Sequence, residues 1–347
     1  MSNEKINIRN LTDNEIINFL QEQSEKEFRK DQINTWLWKK GVACFNEMNN
    51  IPESLRNKLD NSFYIDKIKL AEKYISKDKT TKVLFKTHDG HYFEGVIIPD
   101  RNRVTACIST QIGCPLKCSF CATGKLNFAR NLNVGEIFDQ VFELNILSKG
   151  ILQNGLTNIV IMGMGEPLLN YENTTRATDI FISEKGLGLS PQRITLSTAG
   201  IPSGIKRLAD ENVKINLSIS LHSAISSKRN ELMPVNKRYD LKELADAIKY
   251  YYKKTGKRIT YEYLLLGGVN DSDKDAEALT EFTKISACKI NLIEYNPTEN
   301  DFYKNPSKER TKQFEYFIKT KNLVVTIRKS KGQDINAACG QLANKNH

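Results

Sequence analysis

Nothing in the sequence is long and apolar enough to span a membrane, and the opening MSNEKINIRN lacks the apolar run of a signal peptide. The expectation is a cytoplasmic protein without membrane contact, whose seven cysteines stay reduced. In that compartment clustered thiols bind metal or do chemistry more often than they form disulfides. No dinucleotide fingerprint of glycines follows any strand-like run, and internal repeats and low-complexity segments are missing too. There is no second C-x2-C pair and no H-x3–5-H, so a four-ligand structural zinc would have to gather distant side chains. Histidine itself is scarce, with four in 347 residues.

What is present is enough chain for one large domain and a small accessory one. Hydrophobic residues at 39% and charged residues at 27% describe a globular protein. A formal charge of +10 suits a polyanionic partner, although a solvated lysine-rich surface gives the same count. Residues 1–75 read as short helices over Leu11–Gln23, Asp31–Gly41 and PESLRNKL. They carry Arg29, Lys30, Lys39, Lys40, Arg56 and Lys58 around Trp36 and Trp38. Such interleaving could contact nucleic acid; the plainer reading is a helical core with a solvated face. Residues 76–100 follow as a β-hairpin turning at Asp89-Gly90, with Tyr92, Glu94 and Val96 on one face. Taken alone, Glu94 would face solvent.

From about residue 103, apolar β-branched runs alternate with amphipathic helices. The runs are VTACIST, NIVIMG, RITLST, VKINLSIS, RITYEYLLL, KINLIEY and LVVTIRK. Helices are expected over Val134–Leu147, after Asn170, near Ile205, from Leu241, after Asp273 and near Phe314. Six parallel βα units predict an α/β fold, a partial (β/α)6 barrel over residues 101–334. Barrel sites gather at the C-terminal strand ends, which here read GMGEP, STAG, SLHS and EYNP. Residues 335–347 form an irregular tail.

Four cysteines fall in CISTQIGCPLKCSFCATG, and three of them, Cys114, Cys118 and Cys121, have the spacing C-x3-C-x2-C. Zinc and iron–sulfur sites usually take four protein ligands; a cubane held by three thiolates leaves one iron open to a substrate. CPLKCSFC resembles the CxxxCxxC signature of the radical S-adenosylmethionine (radical SAM) superfamily. GMGEP, Gly163 to Pro167, is similar to that superfamily's glycine-rich SAM-binding segment. RITLSTAGI, SISLHSA, MPVNKRY, KINLIEYNP, INAACGQLA and the N-terminal CFNEMNNIPESLRNKL narrow the match. Together they resemble the RlmN family, dual-specificity adenine C2 methyltransferases of 23S ribosomal RNA and transfer RNA. The resemblance runs over nearly the whole chain.

That resemblance implies one [4Fe–4S] cluster on Cys114, Cys118 and Cys121, with SAM chelated at the open iron and reduced to a 5′-deoxyadenosyl radical. The SAM contacts it carries over are Gly165, Glu166, Ser197, Ser220, Leu221, His222 and Asn296. Carbon 2 of adenine lies between two ring nitrogens and is too electron-poor to attack a sulfonium methyl. The family therefore first places a methyl group from one SAM on a cysteine, the position matched by Cys339 in AACGQL. A second SAM supplies the radical that takes hydrogen from this S-methyl group, which then adds to carbon 2. Glu94 matches the proton acceptor, and Cys107 the resolving thiol that leaves a transient Cys107–Cys339 disulfide. Without the resemblance, Cys107 would read as a small core residue, Cys339 as an inconsequential tail thiol and His222 as a satisfied strand-end residue.

The implied partners are 23S rRNA and tRNA, whose target base must be unstacked, and an electron donor such as flavodoxin or ferredoxin. A monomer is expected. Lys228, Arg229, Lys237 and Arg238 add a basic rim near the barrel mouth, and Cys44 and Cys288 are expected in the core. Two features depart from the family pattern: Asn336 stands where an aspartate is common, and the sequence stops soon after Cys339. The related Cfr methyltransferases use the same cysteines to methylate carbon 8 of adenine but replace the proline of GMGEP, so Pro167 favours carbon 2. A non-catalytic RNA-binding clasp would have no use for Cys107, Cys339 and GMGEP together, and a small-molecule radical enzyme would not need the tail.

Overall fold

The computed structural model describes residues 5–297 and 302–343. Its N-terminal part holds three helices. Helix α1 (Asp13–Glu22) starts at a capping box in which Thr12 and Glu15 exchange side-chain and backbone hydrogen bonds. Helix α2 (Arg29–Thr35) runs into a π turn, Trp36–Lys40, that ends at Gly41 in the left-handed region (φ 64°). A side chain at Gly41 would also meet the Phe142 ring at 2.6 Å. Helix α3 is Glu53–Ser62.

This part docks by burial and charge on the first crossover helix of the sheet, α4 (Val134–Leu152). Trp38 packs edge-on against Phe138. Arg9 and Asp139 form an ion pair at 2.7 Å with both side chains fully buried, and Lys67 reaches the same carboxylate at 3.0 Å. Trp38 is therefore core and cannot stack on a base. Most of the basic residues around it hold their own chain: Arg29 bonds Gln32, Lys30 bonds Asp13, and Arg56, Lys58 and Lys39 bond the carbonyls of Asn46, Gln23 and Glu184.

Ten strands form one sheet in which spatial order follows chain order. The first four, β1 (Lys69–Ile75), β2 (Thr81–Lys86), β3 (Tyr92–Asp100) and β4 (Arg103–Ile108), pair antiparallel through short turns. The expected hairpin at Asp89-Gly90 joins β2 to β3, so its strands continue the main sheet. Its tip is tied down by Arg130, which bonds Asp89 at 2.7 Å and Glu136 at 2.8 Å.

Parallel pairing runs from β4 through β5 (Asn158–Ile161), β6 (Ile194–Thr198), β7 (Asn216–Ser220), β8 (Ile259–Leu265), β9 (Cys288–Glu294) and β10 (Val325–Arg328). Six crossovers connect them: α4, α5 (Tyr171–Ile182), α6 (Pro202–Asp210), the pair α7 (Ser226–Leu232) and α8 (Leu241–Thr255), α9 (Asp273–Thr283) and α10 (Lys308–Thr320). Helices cover the parallel strands, which is why β8 is buried at every position. Among the described residues no helix is long and apolar enough to cross a membrane.

Candidate functional site

Side chains from all seven parallel strands line one cavity of about 170 Å³, so the sheet curls into an open barrel around it. They are Cys107 of β4, Ile161 of β5, Ser197 of β6, Ser220 of β7, Glu262 of β8, Ile293 of β9 and Arg328 of β10. The loop after β4 adds Cys114, Cys118 and Cys121; the turn after β5 adds Gly165 and Glu166; His222 follows β7. Ala337 to Gly340 and Leu342 of the tail close the mouth.

The three clustered thiols are free and partly buried. Burial pushes Cys114 up to about 12, raises Cys118 well above the thiol range with help from its two neighbours, and raises Cys121. They are neutral unless a positive group stands among them. Among the described residues no three of His, Cys, Asp and Glu converge closely enough to hold a single metal ion. Three thiols spread around a cavity suit a larger, multi-iron cluster with one position left over.

Beside them, Gly165 takes φ 100°, and a Cβ there would lie 2.5 Å from the Gln111 side chain. Gln111 in turn accepts the Glu166 N–H at 2.8 Å. The Glu166 carboxylate accepts the Leu168 N–H at 3.0 Å and the Ala199 N–H at 2.7 Å. Burial still outweighs these donors and pushes its carboxyl up to about 6. The Thr198 side chain adds a third hydrogen bond, which leaves the carboxylate room for one more donor, such as a cationic ligand group.

His222 occupies the left-handed region at φ 55°. Burial, with the Arg229 cation adding to it, holds its imidazole down to about 3. Nδ1 accepts the Leu264 N–H at 3.0 Å, so the ring proton resides on Nε2. Leu221 is fully buried and contributes only backbone: its N–H donates to Glu262 O, and its carbonyl accepts from Arg229. The expectation that Arg229 belongs to a basic rim fails. Its guanidinium is fully buried and bonds Leu221 O, Ala199 O and Asn236 Oδ1, tying together the loops after β6 and β7. Lys228 pairs with buried Asp275 at 2.7 Å, which leaves Lys237 and Arg238 as the exposed members of that group.

Cys107 faces the cavity, its thiol pushed up to about 12 by burial, against which Arg328 acts. Cys339 stands at the mouth. Surrounding protein raises its thiol and Arg328 opposes, but water reaches it and tempers both effects. The tail that carries it is pinned: Gly340 O accepts the Ala122 N–H at 2.8 Å and Leu342 O accepts Thr123 Oγ1 at 2.6 Å. Asn296 does not line the cavity. It donates to Cys339 O at 3.1 Å and accepts from Gln333 at 2.7 Å, which makes it a holder of the tail in this state.

Glu94 is buried behind the cavity wall, not solvated as its strand position alone suggests. Lys82 of β2 stands 3.0 Å from Oε1, and the Ala343 N–H donates to Oε2 at 2.8 Å. Asn336 adopts φ 52°, a conformation that Asn tolerates well. Residues 344–347 of the expected tail lie outside the described residues. Cys44 is exposed, against the expectation of a core position: its short 3-10 turn places the thiol 3.5 Å from Glu47 at the surface. Cys288 is half-buried on β9. Sequence reasoning passed over Gln111, Glu262 and Arg328. Glu262 had a signal, as the single charged residue inside the run ITYEYLLL.

Residues 108–279 match the radical SAM superfamily, and residues 6–65 match the N-terminal domain of ribosomal RNA large subunit methyltransferase. A Flavobacterium johnsoniae protein described as a probable dual-specificity RNA methyltransferase RlmN is 45% identical over 345 residues, 99% of each chain. A Cytophaga hutchinsonii protein of the same description is 46% identical, covering 97% of this chain and 93% of its own. The crystal structure of a radical SAM methyltransferase from Sphaerobacter thermophilus superposes with a TM-score of 0.90 at 38% identity, over 97% of this chain and 99% of that one. With the thiol cluster, the glycine turn and the curled parallel sheet in place, these full-length similarities show that the chain belongs to the RlmN family of radical SAM RNA methyltransferases.

Proposed function

We propose that this protein methylates carbon 2 of a specific adenosine in 23S rRNA and in tRNA, by way of a methylated cysteine. The observation that carries the reading is the convergence of Cys107, Cys339, the three-thiol loop and the Gly165–Glu166 turn on one cavity. Cys114, Cys118 and Cys121 would hold a [4Fe–4S] cluster, and Glu166, Ser197, Ser220 and His222 would hold SAM. Bound together, that pair supplies the methyl group and one-electron hydrogen abstraction, with SAM used twice per turnover.

The chain's own residues then divide the work. Cys339, as a thiolate, accepts the methyl group and carries it to the adenine. Once that carbon is joined to carbon 2, Glu94 takes the carbon-2 proton. With one electron given back through the cluster site, the Cys107 thiolate attacks the Cys339 sulfur; the bond between the methylene carbon and Cys339 breaks, its electron pair passes into the adenine ring, and the carbon takes up a proton to become the methyl group, leaving a Cys107–Cys339 disulfide for an external donor to reduce. Glu94 now accepts the Ala343 N–H, so the tail has to shift before this carboxylate can meet a base. A cavity of about 170 Å³ is also below the roughly 300 Å³ at which ligand pockets usually begin, and residues of the tail line it.

Peptide mass spectrometry of the anaerobically purified, iron-loaded protein tests this reading. A single methyl group on the Cys339 peptide, absent in Cys118→Ala, is expected. An unmodified Cys339 after incubation with excess SAM removes the carrier mechanism. Nucleoside analysis of the RNA product then distinguishes 2-methyladenosine from the carbon-8 isomer.

A further inference from the structure

Lys82 lies outside the cavity lining, yet among the described residues its ammonium is the one cation paired with Glu94, 3.0 Å from Oε1. Both side chains are nearly sealed, at 12% and 4% exposure. The Tyr74 ring of β1 also packs on the ammonium, its centroid 5.4 Å away. Strand register explains the meeting. Lys82 stands opposite Val96, Leu84 opposite Glu94, and Val96 opposite Cys107. Opposite residues share a face of the sheet, and so do residues two apart. Lys82 and Glu94 are thus diagonal neighbours on the face that turns Cys107 into the cavity.

The two oxygens of Glu94 are held differently. Oε1 meets Lys82 on β2, a strand fixed between β1 and β3, whereas Oε2 accepts the Ala343 N–H of the tail at 2.8 Å. When the tail shifts, Oε2 loses its partner and Oε1 does not. A carboxylate takes a proton only as the anion, and an anion nearly sealed from water needs a counter-charge beside it. Lys82 supplies that charge from a fixed direction. It therefore sets both the ionised form and which oxygen is left open. A neutral donor in its place would keep the direction and lose the charge.

We propose that Lys82 is a positioning residue for the proton transfer: it holds Glu94 as an anion through Oε1 while Oε2, uncovered as Ala343 leaves, takes the carbon-2 proton. This rests on the reading of Glu94 as proton acceptor given above. The proton passes from carbon 2 to Oε2, the electron pair of that bond stays in the adenine ring, and Lys82 remains an ammonium throughout. Methyl transfer to Cys339 and hydrogen abstraction come before this step and do not involve Lys82. Losing the cation therefore leaves RNA joined to Cys339, where losing a scaffold residue would weaken every step alike.

The test is a time course of anaerobic, iron-loaded protein with SAM, dithionite and deproteinised 23S rRNA, quenched and run on a denaturing gel that separates RNA-linked from free protein. Lys82→Gln keeps a donor for Oε1 but not the charge. Its release of RNA is expected to slow by about tenfold, the difference between a charge-assisted and a neutral hydrogen bond, so that linked protein accumulates. Lys82→Arg is expected to restore release, and the Cys339 peptide to carry its methyl group in both variants. Lys82→Gln that releases RNA as fast as wild type overturns the proposal, and so does Lys82→Arg that traps as much linked RNA as Lys82→Gln. Iron content and Cys339 methylation that fall in step with the slower release assign Lys82 to the scaffold and overturn it too. Cys107→Ala, which blocks the final sulfur attack, separates the two levels. If it traps no linked RNA, the methyl-carrier reading falls and this inference with it; if it traps RNA and Lys82→Gln does not, only the inference falls.

Discussion

Lowering the pH from 7 to 5 should cost this protein about 2 kcal/mol of folding stability through His222 alone. Burial, with Arg229 adding to it, takes the ring from its ordinary 6.5 down to about 3. Protonation would place an N–H where Nδ1 now accepts from Leu264, so the folded state resists it. Between pH 6.5 and about 3 the unfolded chain binds this proton and the folded chain does not. Stability therefore rises with pH in that window: it is complete above 6.5 and lost on acidification. At about 1.4 kcal/mol per unit, pH 5 lies some 1.5 units into the loss, which gives the figure of about 2.

The comparison is His222→Asn, which tolerates φ 55° and offers an amide oxygen to the Leu264 N–H. Urea unfolding of both cluster-free proteins at pH 7, 6 and 5 gives two curves. Glu166, raised to about 6, works in the opposite direction between about 4.5 and 6, but it is common to both proteins and cancels in the difference. The variant should gain about 2 kcal/mol relative to the wild type between pH 7 and 5. Parallel curves would refute the buried, neutral histidine.

Arg229→Met strips donors from Leu221 O, Ala199 O and Asn236 Oδ1 and should cost about 3 kcal/mol or more at pH 7, read from the urea midpoint; a loss under about 1 kcal/mol would contradict its bridging role. Gly165→Ala meets Gln111 at 2.5 Å in a left-handed conformation and should lose about 1–3 kcal/mol together with SAM affinity, measured by thermal melting and dialysis. Cys118→Ala should abolish stoichiometric iron while circular dichroism stays unchanged; retained iron would dissociate the motif from the cluster.

The strand–helix alternation was legible because parallel strands packed under helices on one face and around a largely enclosed barrel interior on the other read as apolar, β-branched runs, and all seven runs from VTACIST to LVVTIRK are strands. Helix α4 extends past the expected Leu147 to Leu152, because SKGIL still supplies apolar residues at helical spacing. What stayed hidden was decided by distant partners. Glu94 looked solvated because Lys82 and the Ala343 amide, 249 positions away, are invisible from its own strand. Arg229 looked like part of a basic surface because composition cannot distinguish a cation in water from one surrounded by carbonyls. Trp38 could pass for a base-stacking residue until Phe138 and Arg9 closed over it.

The segment that leads into the tail is stitched to the other edge of the sheet. Lys331 bonds Pro99 O, Asp78 accepts the Gly332 N–H, and Asp334 accepts from Ser76 and Lys77. Cys339 lies five positions beyond Asp334, so at about 3.3–3.6 Å per residue its backbone can travel roughly 17–18 Å from that anchor. Released from Ala122 and Thr123, the thiol would still be confined to a small volume around the barrel mouth. Short tethers of this kind hold a group at an effective concentration on the order of millimolar. Any thiol in the cell that competes for whatever reacts with Cys339 has to do so against that local excess.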